Sequence, residues 1–254
     1  MFKVGSIGAG HMGTAILEAM PGADIIVYDK AGTKKGFTTA ASEAEVYADC
    51  QILLLAVKPQ DAEEVLTKLS EQPKSPATVP VIVSIMSGIS SAFIRKFLGS
   101  DTPVITLMPT MGIKVNQSAA ALAYTDNVPQ DILTYIEGIF TSTGEAVVVD
   151  EPSLKEIVAV NGCMPGYVYY LIEAFARGAQ GVDYDTAVRM VARGFIGAAM
   201  QVLEGGDAKA LISEICTPGG LTARGVDYFN ENRVDEILID GMGESIKRGY
   251  ELAK

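Results

Sequence analysis

A glycine-rich turn near the start of the chain constrains its fold more than any other feature. The run Gly8–Gly13 reads G-x-G-x-x-G, follows the strand-like run Lys3–Ile7 and opens the helix-like run Met12–Met20. A second strand-like run, Ala23–Tyr28, leads into Asp29, 21 residues after the first glycine. A strand, a glycine turn, a helix and a later acidic residue in this order indicate a dinucleotide-binding βαβ unit.

Each glycine of this turn has a separate expected role. Gly8 allows the tight turn, Gly10 lets the backbone approach a pyrophosphate, and Gly13 lets the helix pack closely on the strand. The start of the helix offers free amides to the phosphates, so His11 and Met12 join the predicted cofactor site. The chain has one histidine, and we interpret His11 as a loop side chain near the phosphates rather than a catalytic group.

The residues after the second strand leave the choice of cofactor open between NAD and NADP. Asp29 could bind a ribose 2′-hydroxyl, which favours NAD. Lys30, Lys34 and Lys35 follow at once, and they could hold a 2′-phosphate instead. We therefore predict that Asp29 and Lys30 belong to the cofactor site without assigning the nucleotide.

The sequence pattern changes near the middle of the chain, from strands alternating with helices to helices alone. The strand-like runs are Lys3–Ile7, Ala23–Tyr28, Gln51–Val57, Pro80–Met86, Val104–Met108, Ala119–Ala123 and Glu145–Val149. The later helix-like runs are Ser153–Val160, Pro165–Gln180, Tyr184–Leu203 and Val234–Leu252. This change predicts an α/β fold, with a Rossmann-type doubly wound sheet in residues 1–152 and an all-helical domain in residues 153–254.

Composition excludes several classes of partner. Lys and Arg number 20 against 31 Asp and Glu, so the formal net charge is −11, and nucleic acid and anionic membranes are poor partners for such a chain. No apolar run approaches the roughly 20 residues of a membrane helix, and the start of the chain lacks a signal-peptide layout. Three widely spaced cysteines suit a reducing cytoplasm, and a single histidine argues against a metal site.

A short segment after the third long strand gives the first link to a known family. The run Leu55–Gln60 ends a strand and continues into Lys-Pro, at the carboxyl edge where cofactors bind. Together with the glycine turn it resembles pyrroline-5-carboxylate reductases, the enzymes of the last step of proline synthesis. The resemblance implies that Ala56, Val57, Lys58 and Pro59 help to bind the nicotinamide cofactor.

The resemblance extends along nearly the whole chain. It includes Ser84–Ile89, which is similar to the family's segment beside the nicotinamide, and the Met108–Pro109 turn. It also includes Glu173–Ala174 on a long helix and the run Thr217–Thr222, the most specific match. The resemblance implies that NAD or NADP, in reduced form, delivers hydride to a small anionic cyclic imino acid.

The turn Thr-Pro-Gly-Gly-Leu-Thr has one interpretation from its residues and another from the resemblance. The residues alone indicate a turn that opens a helix at about Leu221, with amides of Gly219, Gly220 and Leu221 available to a carboxylate. The resemblance implies that this turn, with Thr217, holds the substrate carboxylate, and that the Thr222 hydroxyl bonds the substrate nitrogen as the catalytic group. The alternative role for Thr222 is local helix capping.

The helical part predicts self-association. It carries apolar residues on more than one helix face, among them Phe175, Met190, Phe195, Ile196 and Met200, and such helices must be buried in a core or against a partner. The resemblance implies interlocked dimers through this oligomerisation domain, sometimes built into larger rings. We therefore expect a homodimer at minimum.

Two departures from the family pattern keep alternative functions open. Thr106–Thr110 stands where the family has Arg-x-Met-Pro-Asn, and Asn161–Tyr167 stands where it has Ser-Gly-Ser-Gly-Pro-Ala-Tyr. One alternative is a reductase of another cyclic imino or keto acid. The other is a dinucleotide-binding regulatory protein without turnover, since a fold does not fix a function.

Overall fold

The computed structural model describes residues 1–32, 36–72 and 79–252. Lys34 and Lys35, named above as candidate phosphate ligands, lie outside the described residues. The chain forms two compact units, one of Met1–Cys163 with Ser245–Lys254 and one of Met164–Glu244. The last strand of the described chain ends at Val148, and the first unit continues to Cys163.

The first unit is built on one sheet of eight strands, whose order is β3-β2-β1-β4-β5-β6-β7-β8. The strands are β1 Lys3–Ile7, β2 Asp24–Tyr28, β3 Thr38–Thr39, β4 Ile52–Leu55, β5 Val81–Ser84, β6 Val104–Met108, β7 Ser118–Tyr124 and β8 Gly144–Val148. Strands β1 to β6 are parallel, whereas β7 is antiparallel to β6 and parallel to β8. The predicted fold class is confirmed, with two final strands that run opposite to the other six.

Helices cover both faces of this sheet. They are α1 His11–Glu18, α2 Glu43–Ala48, α3 Ala62–Ser70, α4 Ser91–Leu98, α5 Gln130–Ser142 and α6 Leu154–Ile157. On β4, Ile52 and Leu54 belong to the apolar cluster that includes α1 and α5. Leu53 and Leu55 belong to the cluster that includes α2, α3 and α4. Strand β4 is therefore buried on both sides, which explains its continuous apolar sequence.

The second unit consists of helices. They are α7 Met164–Gly178, α8 Tyr184–Leu203, α9 Ala208–Ile215, α10 Leu221–Glu231 and α11 Val234–Leu252, whose last turns belong to the first unit. Aspartates cap the starts of two of these helices. Asp183 of α8 accepts a hydrogen bond from the Thr186 amide, and Asp207 of α9 accepts one from the Ala210 amide. Within the described residues, no helix combines the length and hydrophobicity needed to cross a membrane.

Candidate functional site

The glycine turn lies where the winding of the sheet reverses. Strands β1 and β4 are neighbours there, and the next strands along the chain lie on opposite sides of the pair. The crevice at the carboxyl ends of such a pair is the usual ligand site of a doubly wound sheet. The fold therefore places the turn after β1 and the Ala56 segment after β4 on two sides of one crevice.

Two of the glycines are required by close packing inside the protein. A Cβ on Gly8 would lie 2.6 Å from the Ala56 carbonyl oxygen, and Gly8 has φ +90°. A Cβ on Gly13 would lie 2.9 Å from the Ala56 Cβ. The geometry agrees with the tight turn and the close helix packing expected from the sequence.

The third glycine faces open space. Gly10 is the N-cap of α1 and carries no side chain to cap the helix, and a Cβ built on it would meet no other atom within 4 Å. His11 is exposed, whereas the partly buried Met12 side chain packs against the core. The helix start thus leaves room for an anion beside uncapped amides, as a pyrophosphate requires.

A cleft of about 390 Å³ lies in front of this turn. The predicted cofactor residues that line it are Gly8, Gly10, Asp29, Lys30, Ala56, Val57 and Lys58. Pro59, which begins the single helical turn Pro59–Asp61, is not part of the lining, and neither are His11, Met12 and Gly13. The glycine surfaces, the helix start and the acidic residue after β2 together fit a dinucleotide.

Asp29 is fastened in place by main-chain amides. Its Oδ2 accepts a hydrogen bond of 2.7 Å from the Ala9 amide in the glycine turn. Its Oδ1 accepts one of 2.8 Å from the Ala31 amide. The sequence motif predicts an acidic residue here, but it does not predict that this residue also ties β2 to the glycine turn.

A second, smaller cleft of about 50 Å³ in the first unit contains residues that the sequence reasoning missed. Its lining includes Ser87–Ser90, Thr106 and Glu151. The Glu151 carboxylate accepts bonds from the Ser91 amide (2.5 Å), the Ser91 hydroxyl (2.6 Å) and the Thr106 hydroxyl (3.1 Å). Glu151 therefore joins the start of α4, the strand β6 and the segment before α6.

The departure at Asn161 also has a structural consequence. Asn161 lies in a π-helical turn, Val158–Gly162, and its side-chain amide donates to the carbonyls of Met108 (2.9 Å) and Ala119 (3.3 Å). These contacts fix the turn to β6 and β7. No local sequence pattern predicts these two hydrogen bonds, because the partners are 53 and 42 residues away in the chain.

The Pro-Gly-Gly turn, in the second unit, corrects one expectation. The Gly220 amide donates to the Thr217 carbonyl at 2.8 Å, and Gly219 has φ +75°, which is the pattern of a type II turn with proline at its second position. The Gly220 amide is therefore engaged within the turn, and the expected set of three amides facing a carboxylate is wrong in that member. The helix start at Leu221 is confirmed.

Thr222 lies just inside helix α10 rather than at its cap. Gly220 occupies the N-cap position, so the local capping role considered for Thr222 has no support in the helix geometry. Thr222 lines a largely apolar cavity of about 480 Å³, together with Cys216 and Val226. A hydroxyl at the edge of an apolar cavity suits a small ligand with one polar contact.

Comparisons with known proteins agree along the whole chain. A family model described as pyrroline-5-carboxylate reductase dimerisation matches residues 151–252, and one described as NADP oxidoreductase coenzyme F420-dependent matches residues 3–88. Pyrroline-5-carboxylate reductase from Aquifex aeolicus is 30% identical, with 98% of this chain and 97% of the relative covered. The Escherichia coli enzyme of that name is also 30% identical, with 99% and 98% covered.

Solved structures support the same fold. Pyrroline carboxylate reductase from Plasmodium falciparum, solved with NADP bound, has a TM-score of 0.91 at 22% identity and covers 100% of this chain and 98% of its own. The Streptococcus pyogenes enzyme has a TM-score of 0.89 at 24% identity, with 98% of each chain covered. At 22% and 24% identity, these structures establish the fold alone. The family is established by the full-length relatives at 30% identity. The chain therefore belongs to the pyrroline-5-carboxylate reductase family.

Proposed function

We propose that the protein reduces the cyclic imine 1-pyrroline-5-carboxylate to L-proline with NADH or NADPH, the last step of proline biosynthesis. The observation that carries this proposal is the full-length identity of 30% with two relatives that bear this enzyme's name. The glycine turn with its open helix start and the turn before α10 are both present. The proposal therefore gives the chain a cleft for the cofactor and a separate candidate site for the substrate.

The cofactor is assigned to residues 1–152. When bound, the reduced nicotinamide supplies the hydride that reaches the C=N carbon. The amides at the start of α1 bind the pyrophosphate beside Gly10, and Gly8 and Gly13 keep the turn tight enough for that approach. Ala56, Val57 and Lys58 form the opposite wall, where the lysine adds a positive charge for the phosphates, and Pro59 follows them at the start of a helical turn.

The substrate is assigned to the helical residues 153–254. Reduction of the imine leaves a secondary amine, so the nitrogen must gain a proton or a strong hydrogen bond while hydride reaches the carbon. The Thr222 hydroxyl is the group we assign to that nitrogen. Thr217, Gly219, Gly220 and Leu221 are assigned to the substrate carboxylate, with the Gly220 amide acting through the shape of the turn rather than as a donor.

We assign a homodimer as the smallest active form, with the contact in residues 155–254. The match of residues 151–252 to a dimerisation model supports a homo-oligomer. A larger ring of dimers belongs to the same proposal. The proposal also places the protein in the cytoplasm, a reducing compartment that suits its three widely spaced cysteines.

The test is an assay of NADH and NADPH oxidation with 1-pyrroline-5-carboxylate, with L-proline quantified by chiral chromatography. We expect one L-proline for each nucleotide oxidised. A six-membered cyclic imino acid serves as competitor, because the altered run Asn161–Tyr167 leaves a reductase of a different ring as the second candidate. Nucleotide binding without oxidation by any cyclic imine would contradict both candidates and favour a regulatory protein.

A further inference from the structure

We propose that Asp29 makes the cofactor cleft selective for a dinucleotide whose adenosine ribose carries a free 2′-hydroxyl, so that NADH binds more tightly than NADPH. This inference rests on the proposed function, because it specifies the cofactor of the same site. It goes beyond the sequence motif, which leaves Asp29 and the lysines after it as competing ligands. The structure favours Asp29 through the way its carboxylate is held.

The Asp29 carboxylate is held by both of its oxygens. Oδ2 is 2.7 Å from the Ala9 amide and Oδ1 is 2.8 Å from the Ala31 amide. Turning the side chain away from the cleft would break bonds to the glycine turn and to the residues after β2 together. A bound dinucleotide therefore meets this carboxylate where it stands, at the carboxyl end of β2.

A fixed carboxylate distinguishes a hydroxyl from a phosphate. Each carboxylate oxygen can accept more than one hydrogen bond, so ribose hydroxyls can donate to Asp29 while the two amides stay bound. A 2′-phosphate has no comparable donors and is negatively charged at neutral pH. Two negative groups close together in a partly desolvated cleft repel each other, so the phosphate is disfavoured.

Among the described residues, the cation that follows Asp29 in the chain is Lys30, and it already belongs to a network of charges. Lys30 Nζ is 3.2 Å from Glu64 Oε2, and the other oxygen of Glu64, Oε1, is 2.9 Å from Lys68 Nζ. Lys68 in turn contacts Glu43 at 3.1 Å. Hydrogen bonds from Lys68 and Lys30 lower the pKa of Glu64, which keeps it charged. Two lysines and two glutamates thus form a balanced network, and Lys30 already has an anionic partner.

Affinity measurements on the intact protein test this inference directly. Dissociation constants for NADH and NADPH are measured by calorimetric titration at one ionic strength, without substrate. We expect NADH to bind roughly tenfold more tightly or better, a difference of about 1.4 kcal/mol. Equal affinity, or tighter binding of NADPH, would overturn the inference and indicate that other cations, such as Lys34 and Lys35, control this end of the site.

A pair of matched variants separates a specific contact from net charge. Asp29→Asn keeps one oxygen acceptor and removes the charge, and we expect the two dissociation constants to approach within about threefold. Asp24→Asn removes the same charge from the opposite end of β2, where the side chain is exposed, and should leave the ratio unchanged. If Asp29→Asn weakens both nucleotides equally, the residue only fastens the glycine turn, and the inference is wrong.

The inference and the proposed function can fail separately. If both nucleotides bind equally and 1-pyrroline-5-carboxylate is still reduced, only the selectivity is wrong. If NADH binds more tightly but no cyclic imine is reduced, the proposed function is wrong and the selectivity stands. Because binding is measured without substrate, each result is read from its own experiment.

Discussion

The two units of the chain differ in how far they bury their apolar residues. In the first unit, Leu53, Leu54 and Leu55 of the central strand are each 0% exposed. In residues 164–244, which the structure describes throughout, Ala176 and Ala187 are the only buried residues. The comparison shows that the sheet unit completes its core within one chain, whereas the helical unit does not.

The exposed apolar side chains of the helical unit are large and numerous. Tyr170 is 70% exposed, and Met190 and Leu203 are 66% exposed. Large exposed apolar patches usually mark protein–protein contacts. Since residues 151–252 match a dimerisation model, a second copy of this chain is the partner that we assign to the surface.

The largest expected effect concerns chemistry assigned to the helical unit. Thr222→Ala removes the hydroxyl that we assign to the substrate nitrogen, and we expect kcat to fall about 100-fold or more. Thr222→Ser restores a hydroxyl and should recover much of the rate. Steady-state kinetics on the three proteins measure both changes.

The nucleotide affinity is the control for that experiment. It should be the same in all three proteins, because the cofactor is assigned to the other unit. Near-normal kcat in Thr222→Ala would mean that the proton comes from water or from another residue, and the site assignment in the helical unit would be wrong.

The next effect concerns binding in the sheet unit. In Gly10→Ala the added methyl meets no atom of the chain within 4 Å, so folding should be unaffected while the pyrophosphate loses its close approach. We expect the nucleotide dissociation constant to rise about tenfold or more. Gly138→Ala, at another helical glycine with open space around it, is the matched control, and equal affinity in the two variants would remove the turn from the site.

The parts of the fold that could be predicted from the sequence are those with a recognisable local pattern of apolar residues or a short motif. The apolar run of β4 and the motif at Gly8–Gly13 both follow from short segments. The short strand Thr38–Thr39 was missed because two residues carry no period. Helix α2 was missed although its start has a signal. The N-cap Ser42 accepts a bond from the Glu45 amide, and Glu45 accepts one from the Ala41 amide, which is close to a capping box but uses the amide before the cap.

A smaller effect tests a contact that the sequence could not reveal. Glu151→Gln replaces one carboxylate oxygen with a donor that faces the Ser91 amide and hydroxyl. Losing a charge-assisted bond in a partly buried position costs about 2 kcal/mol, so we expect the melting temperature to fall by about 5 °C. Glu145→Gln, at an exposed position on β8, is the control, and equal melting temperatures would show that the Glu151 contacts add no stability.

The smallest effect concerns the core of the sheet unit. Burial raises the pKa of the Cys50 thiol to about 12, from an ordinary value of 9.0. We expect Cys50 to stay unlabelled by a thiol reagent at pH 8 in the native protein and to react after denaturation, as peptide mass spectrometry would show. Because only the unfolded thiol ionises between pH 9 and 12, its contribution to stability is lost as the pH rises through that range. Rapid native labelling would contradict this burial.

The candidate site was predictable only in part, for reasons of distance along the chain. Asp29 and Gly10 stand at fixed spacings in one motif, so the sequence predicts them together. The bonds of Glu151 to Ser91 and Thr106 join residues 60 and 45 positions apart. Such pairs become neighbours through the order of strands, which periodicity does not encode.

The mass of the protein in solution tests the central comparison most directly. If the helical unit is completed by a second copy, light scattering at micromolar concentration should give twice the chain mass of 26.8 kDa or a higher even multiple. Ile196→Glu, at a side chain 54% exposed on α8, should weaken that association. A mass of 26.8 kDa for the unaltered protein would show that the helical unit stands alone, and the account of its apolar surface would be wrong.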